Sequence, residues 1–129
     1  MDVSQLKRVP LFQKVPDEKL KQVATFALAE EHPEGSVIVK EGGYSNHFYA
    51  IEDGTAKVER DGQHLADLGP GDVFGEQGLL EKQERSATVT ATSQLKVIKI
   101  EHWELDRMRR SMPEVVDQLR ARVEERSGG

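Results

Sequence analysis

The sequence predicts a mainly β fold, a sandwich or closed barrel bracketed by helices, and two patterns carry that prediction. Between about Leu28 and Glu101, glycines punctuate the chain at Gly35, Gly42-Gly43, Gly54, Gly62, Gly69-Pro70-Gly71, Gly75 and Gly78. Short segments of strand character lie between them, at a spacing of roughly 8–12 residues. On either side of this region, apolar residues instead recur at three- and four-residue intervals, the period of a helix.

In chain order, Ser4–Arg8 reads as a short helical turn. After Pro10, Asp17 is a candidate N-cap, and Leu20, Val23 and Ala24 share one face of the helix that follows. The strand segments are SVIVK (36–40), HFYAIED (47–53), TAKVERD (55–61), HLADLG (64–69), SATVTAT (86–92) and QLKVIKI (94–100). GDVFG supplies one more, ending in Gly75. Asp53-Gly54 and Asp61-Gly62 suit tight turns. Helical spacing returns with Trp103, Leu105 and Met108, and Pro113 suits the first position of a last helix in which Val115, Leu119 and Val123 recur every fourth residue. The expected organisation is one domain over 1–129, with a helical segment at 1–27, a β-roll at 28–101 and terminal helices at 102–126.

Composition excludes several functions. The absence of cysteine removes zinc-finger, thiol-redox and cysteine-nucleophile chemistry. No run approaches the ~18 apolar residues of a membrane span, and MDVSQLKRVPLF lacks the basic start and apolar core of a secretory signal. A cytoplasmic protein without membrane insertion is therefore expected. The net charge of −5 disfavours nucleic-acid binding, which needs a concentrated basic face. His32, His47, His64 and His102 are scattered, without the close pairing of a metal site, so no metal is expected. No Ser–His–Asp order or nucleophile elbow is present, so an enzyme is not expected.

Chemistry concentrates in Gly71–Ala91, GDVFGEQGLLEKQERSATVTA, a strand ending in glycine, a short helical turn, a polar loop, and an arginine leading another strand. Gly75 and Gly78 let the backbone approach a ligand closely. Amides at the start of the 76–80 turn would favour an anion. Arg85 offers a planar fork of donors suited to phosphate oxygens, whereas Glu76, an acceptor only, suits a sugar hydroxyl. Together they suit a nucleotide with a free 2′-hydroxyl.

Phe74-Gly75-Glu76, Gly78-Leu79-Leu80 and Arg85-Ser86-Ala87-Thr88-Val89 resemble the phosphate-binding cassette of the cyclic nucleotide-binding domain family. The catabolite activator protein and protein kinase A regulatory subunits are members of that family. Pro10-Leu11-Phe12, Gly42, Phe48-Tyr49-Ala50-Ile51, Gly54 and Gly69-Pro70-Gly71-Asp72 extend the resemblance over residues 6–123. It implies an eight-stranded antiparallel jelly-roll-like β-roll with N-terminal helices and C-terminal lid helices. Glu76 would accept from the ribose 2′-hydroxyl and Arg85 would pair with an exocyclic phosphate oxygen. Ser86 and the amides of Gly78, Leu79 and Ala87 would complete the cradle, with Gly75 at its start. Val58, Leu65 and Phe74 would wall the cavity. The chain departs from the pattern at Glu84, where the family usually has proline.

The resemblance implies a regulatory sensor that binds a 3′,5′-cyclic nucleotide, cAMP favoured over cGMP, and needs no other cofactor. Its C-terminal helices would relay occupancy to an effector outside these residues, with Leu119, Arg120, Arg122 and Val123 as a lid over the base. A short terminal helix favours a monomer or weak dimer. The alternative is the same fold used as a protein-interaction module without nucleotide.

Overall fold

The computed structural model describes residues 2–42, 47–74, 87–114 and 116–117. Helices α1 (Val3–Leu6) and α2 (Asp17–Ala24) flank a 3-10 turn at Pro10–Phe12. Strands β1 (Leu28–His32), β2 (Val37–Val39), β3 (His47–Asp53), β4 (Ala56–Arg60), β5 (Gln63–Leu68), β6 (Val73–Phe74), β7 (Thr88–Ala91) and β8 (Leu95–Glu101) follow, and α3 (His102–Ser111) comes after them. The strands form two four-stranded sheets, β1-β8-β3-β6 and β2-β7-β4-β5, antiparallel in every pairing. Except at the β4–β5 hairpin, the chain changes sheet at each step from one strand to the next. This is the eight-stranded antiparallel jelly-roll-like roll that the sequence implies.

Two apolar layers hold it together. Ile51, Phe74, Leu95 and Val97 of the first sheet meet Val39, Ala56, Leu68, Val89 and Ala91 of the second. On the other face of the first sheet, Phe48, Ala50, Val73, Ile98 and Ile100 pack with Phe12, Leu20 and Val23 from the N-terminal segment and Met108 and Met112 from the C-terminal one. The first sheet is thus covered on both faces, which is why HFYAIED is apolar without alternation. The second sheet has one wetter face, and β4 alternates accordingly, with Lys57 and Glu59 set between the inward-facing Ala56 and Val58 and the exposed Arg60.

Three details depart from the expectations. Pro16, not Asp17, occupies the N-cap of α2, in an extended conformation that proline's ring favours. Its carbonyl accepts from the amides of Lys19 and Leu20, while Asp17 starts the helix and pairs with Lys7. Strand β1, LAEEH, lies outside the strand segments read from the sequence; at the edge of its sheet and largely exposed, it carries no apolar alternation. In the last segment Val116, outside the Val115–Leu119–Val123 stripe, is 2% exposed and joins the helical-layer core.

Of the two expected tight turns, Asp61-Gly62 closes a hairpin, whereas Asp53 ends β3 and Gly54 bends the chain between the two sheets. Asp61 and Gly62 have φ of 52° and 79°, closing the β4–β5 hairpin with left-handed backbone at both positions. Gly54 has φ of 92°, and a Cβ there would lie 2.2 Å from the Gln94 carbonyl oxygen. Gly54→Ala should therefore cost about 2–4 kcal/mol, from left-handed strain plus a backbone clash. Gly62→Ala, with open space around it, should cost about 1 kcal/mol. Denaturant melts that gave equal losses would refute the difference.

At the β1 edge, Glu30 meets Lys99 at 2.7 Å and His32 at 3.2 Å. Partial burial pushes the Glu30 carboxyl up, but the hydrogen bond and charge of Lys99, joined by His32, outweigh it and hold it below the usual range. The pair's stability is present above the unfolded carboxyl pKa of ~4.3 and is lost as pH falls through the lower folded value. Glu30→Gln should cost about 0.5–1 kcal/mol at neutral pH, and the two proteins should melt alike once acid has protonated Glu30. A gap that persisted in acid would assign the loss to packing instead.

Candidate functional site

The chain leaves the first sheet at Phe74 and enters the second at Thr88, so residues 75–86 bridge the two sheets. Gly75, Glu76, Gly78, Leu79, Arg85 and Ser86 lie outside the described residues, as do Leu119, Arg120, Arg122 and Val123. The structure describes the supports at each end of the bridge.

On the entry side, Gly69-Pro70-Gly71-Asp72 forms the turn into β6. The Gly69 amide donates to Asp72 Oδ2 at 2.9 Å, the Ile51 amide to the Asp72 carbonyl at 2.9 Å, and the Gly71 amide to the Ile51 carbonyl at 3.0 Å. These bonds tie the turn to β3 and fix where β6 begins. Phe74, the last residue before the bridge, is 1% exposed. Its ring stacks on Tyr49 of the neighbouring strand, with centroids 4.9 Å apart and planes 16° from parallel. The pairing register sets Tyr49 opposite Phe74, so the stack follows from cross-strand geometry.

On the exit side, Ala87 is half-buried and Thr88 opens β7. The Glu41 amide donates to Thr88 Oγ1 at 3.1 Å. The Glu41 carboxylate in turn accepts from the Asp61 amide at 3.3 Å to each oxygen. One residue after β2 thus fastens the start of β7 to the β4–β5 hairpin tip.

Val58 lies opposite both Val89 and Ala66, so these three share the inner face of the second sheet. Leu65 falls where the β4–β5 register shifts and is 48% exposed. Of the residues named as cavity wall, Val58 and Phe74 therefore belong to one inter-sheet layer, while Leu65 stands at its exposed margin. Tyr49, Glu41 and Ala66 also shape this region. Neither Tyr49 nor Glu41 gives a sequence signal for this role, since each acts on a residue remote in sequence. Of the histidines, His32, His47 and His64 each face a carboxylate: Glu30, Glu101 and Asp67.

A family model described as Cyclic nucleotide-binding domain matches residues 29–111. The chain is 31% identical over 121 residues to a cyclic nucleotide-gated potassium channel of Rhizobium etli, covering 94% of this chain and 34% of the channel. It is 34% identical over 95 residues to the cAMP-dependent protein kinase regulatory subunit of Schizosaccharomyces pombe, 73% of this chain and 23% of that protein. The chain thus spans about a third or less of these relatives. Among solved structures, the Thermus thermophilus catabolite activator protein superposes with a TM-score of 0.78 at 29% identity, over 91% of this chain and 57% of that one.

Thr88→Val should cost about 1–2 kcal/mol, because it leaves the Glu41 amide without its acceptor at nearly constant side-chain shape. An unchanged urea midpoint would show that water replaces the hydroxyl without loss.

Proposed function

The chain belongs to the cyclic nucleotide-binding domain family, and from that premise we propose that it is a sensor module that binds a 3′,5′-cyclic nucleotide, cAMP in preference to cGMP. Its C-terminal helices pass occupancy to an effector. The observation that carries this reading is the ordered cassette itself. Phe74-Gly75-Glu76 stands at the exit of one sheet, and Arg85-Ser86-Ala87-Thr88 leads into the other.

Arg85 supplies the charge and the planar donors for an exocyclic phosphate oxygen. Glu76 accepts from the ribose 2′-hydroxyl, and the amides of Gly78, Leu79 and Ala87, with the Ser86 hydroxyl, take the remaining oxygens. Val58, Leu65 and Phe74 line the ribose and base, and Leu119, Arg120, Arg122 and Val123 close over them. A cyclic phosphate carries a single charge, which one arginine and a set of amides neutralise. A 5′-monophosphate brings more charge and lacks the ring that places its oxygens.

The relatives are a cyclic nucleotide-gated potassium channel and a regulatory subunit of cAMP-dependent protein kinase. We take this chain to act likewise on an effector, as a non-catalytic cytoplasmic module that is monomeric or weakly dimeric. Among the described residues, no helix is long and apolar enough to cross a membrane.

Calorimetric titration with cAMP, cGMP and 5′-AMP tests the reading; saturable heat is expected with the cyclic forms, strongest with cAMP, and little with 5′-AMP. Arg85→Ala should cost about 2–5 kcal/mol of binding, since it leaves a desolvated phosphate without its charge partner. Glu76→Ala should cost about 1.5–3 kcal/mol, the range for a hydrogen bond to a charged group. Neither heat nor a melting shift at millimolar cyclic nucleotide would sink the proposal. Full affinity in Arg85→Ala would remove Arg85 from its role.

A further inference from the structure

Glu104 is the one charged side chain buried among the described residues, with 2% of its surface exposed. It lies in the first turn of α3, and four-residue spacing puts it on the stripe that continues through Met108 and Met112. Both methionines are buried in the helical-layer core, 0% and 1% exposed, and Val116 extends that contact at 2%. Where three positions of the stripe are apolar, the first is a carboxylate. Its Oε2 is buried without a hydrogen-bond partner. Among the described residues its cationic partner is Arg107, whose Nη1 stands 3.4 Å from Oε2, outside hydrogen-bonding geometry, on a side chain that is 57% exposed.

A buried carboxylate with one solvent-screened partner and an oxygen lacking a donor opposes its own burial. The amides of the first helical turn favour a negative charge there and offset part of that cost. No such opposition acts at Met108, Met112 or Val116, which favour docking. At the far end, Lys19 of α2 meets Glu114 at 2.7 Å, adding an exposed tie between the terminal segments.

We propose that Glu104 is a built-in opponent of α3 docking, which keeps the helix close to balance between its docked and released positions. The consequence for regulation rests on the sensor reading above. A ligand moves an equilibrium only by its difference in affinity for the two states, and a helix near balance answers to a small difference. With an apolar residue in its place, α3 would stay docked whatever the ligand did.

The test compares the parent chain with Glu104→Met, which completes the apolar stripe, and Glu104→Gln, which removes only the charge. Without nucleotide, Glu104→Met should raise the melting temperature by about 4 °C or more. It should also slow amide exchange across residues 105–111 by about tenfold relative to the parent. Glu104→Gln should move both readouts in the same direction, by less. If Glu104→Met packs badly, the sign seen with Glu104→Gln decides. A lower melting temperature or faster exchange in Glu104→Gln would make Glu104 a net support of the docked helix and overturn the proposal, as would no change in either variant.

Titration with cAMP and cGMP then reads the regulatory part. Glu104→Met should differ from the parent in affinity by about threefold or more, the coupling a nucleotide exerts when it distinguishes the two positions of α3. Equal affinity would uncouple α3 from the site. A parent chain that binds neither nucleotide would sink the sensor reading and leave the comparisons of stability and exchange standing.

Discussion

The structure depends on the pairing of β3 with β8, two seven-residue strands buried on both faces. Their alternate residues serve two different layers. Ile51 and Val97 face the second sheet, while Phe48, Ala50, Ile98 and Ile100 face the helices. A one-residue slip would exchange the two sets and strip both layers together. Everything else attaches to this pair: β1 and β6 on its edges, the N-terminal helices and α3 on one face, the second sheet on the other.

That constraint also decides what the sequence made legible. The middle of the chain was readable because glycine turns fall where strands must reverse. HFYAIED matches β3 residue for residue, and Asp61-Gly62 adopts the left-handed pair that its composition favours. Strand β1 was not readable, since Leu28–His32 owes its conformation to β8 and not to its own pattern. The cap of α2 was misplaced by one residue because an acid before a helix resembles a cap, whereas the proline before it already fixes the required backbone. For the site, residue types and order were legible in the cassette. Its supports were not, because Glu41 and Tyr49 act through contacts with residues remote in sequence.

The supports give the bridge at 75–86 its setting. Under the proposed function, residues 75–86 present amides and an arginine to an anion, a task served by stiff supports at both ends. The entry is held by the Gly69–Asp72 turn hydrogen-bonded to Ile51 and by the Tyr49–Phe74 stack. The exit is held by Glu41, which fastens Thr88 and the hairpin tip at once. The entry anchor combines backbone hydrogen bonds with a buried ring stack, and the exit anchor consists of backbone amides donating to side-chain oxygens. The two ends, Phe74 and Thr88, belong to different sheets.

The same pairing registers bring the bridge and the C-terminal helix to one end of the first sheet. β6 runs antiparallel to β3 with Phe74 opposite Tyr49, so β6 ends toward the start of β3. β8 finishes with Glu101 opposite His47, the first residue of β3, and α3 begins at the next residue. The end of β6 and the start of α3 therefore flank β3 on its two sides, toward the same end of the first sheet. Glu104 lies in that first helical turn, buried where α3 meets the body of the protein. Under the proposed function, a ligand held by the cassette would act near the root of α3, where the helix leaves the first sheet.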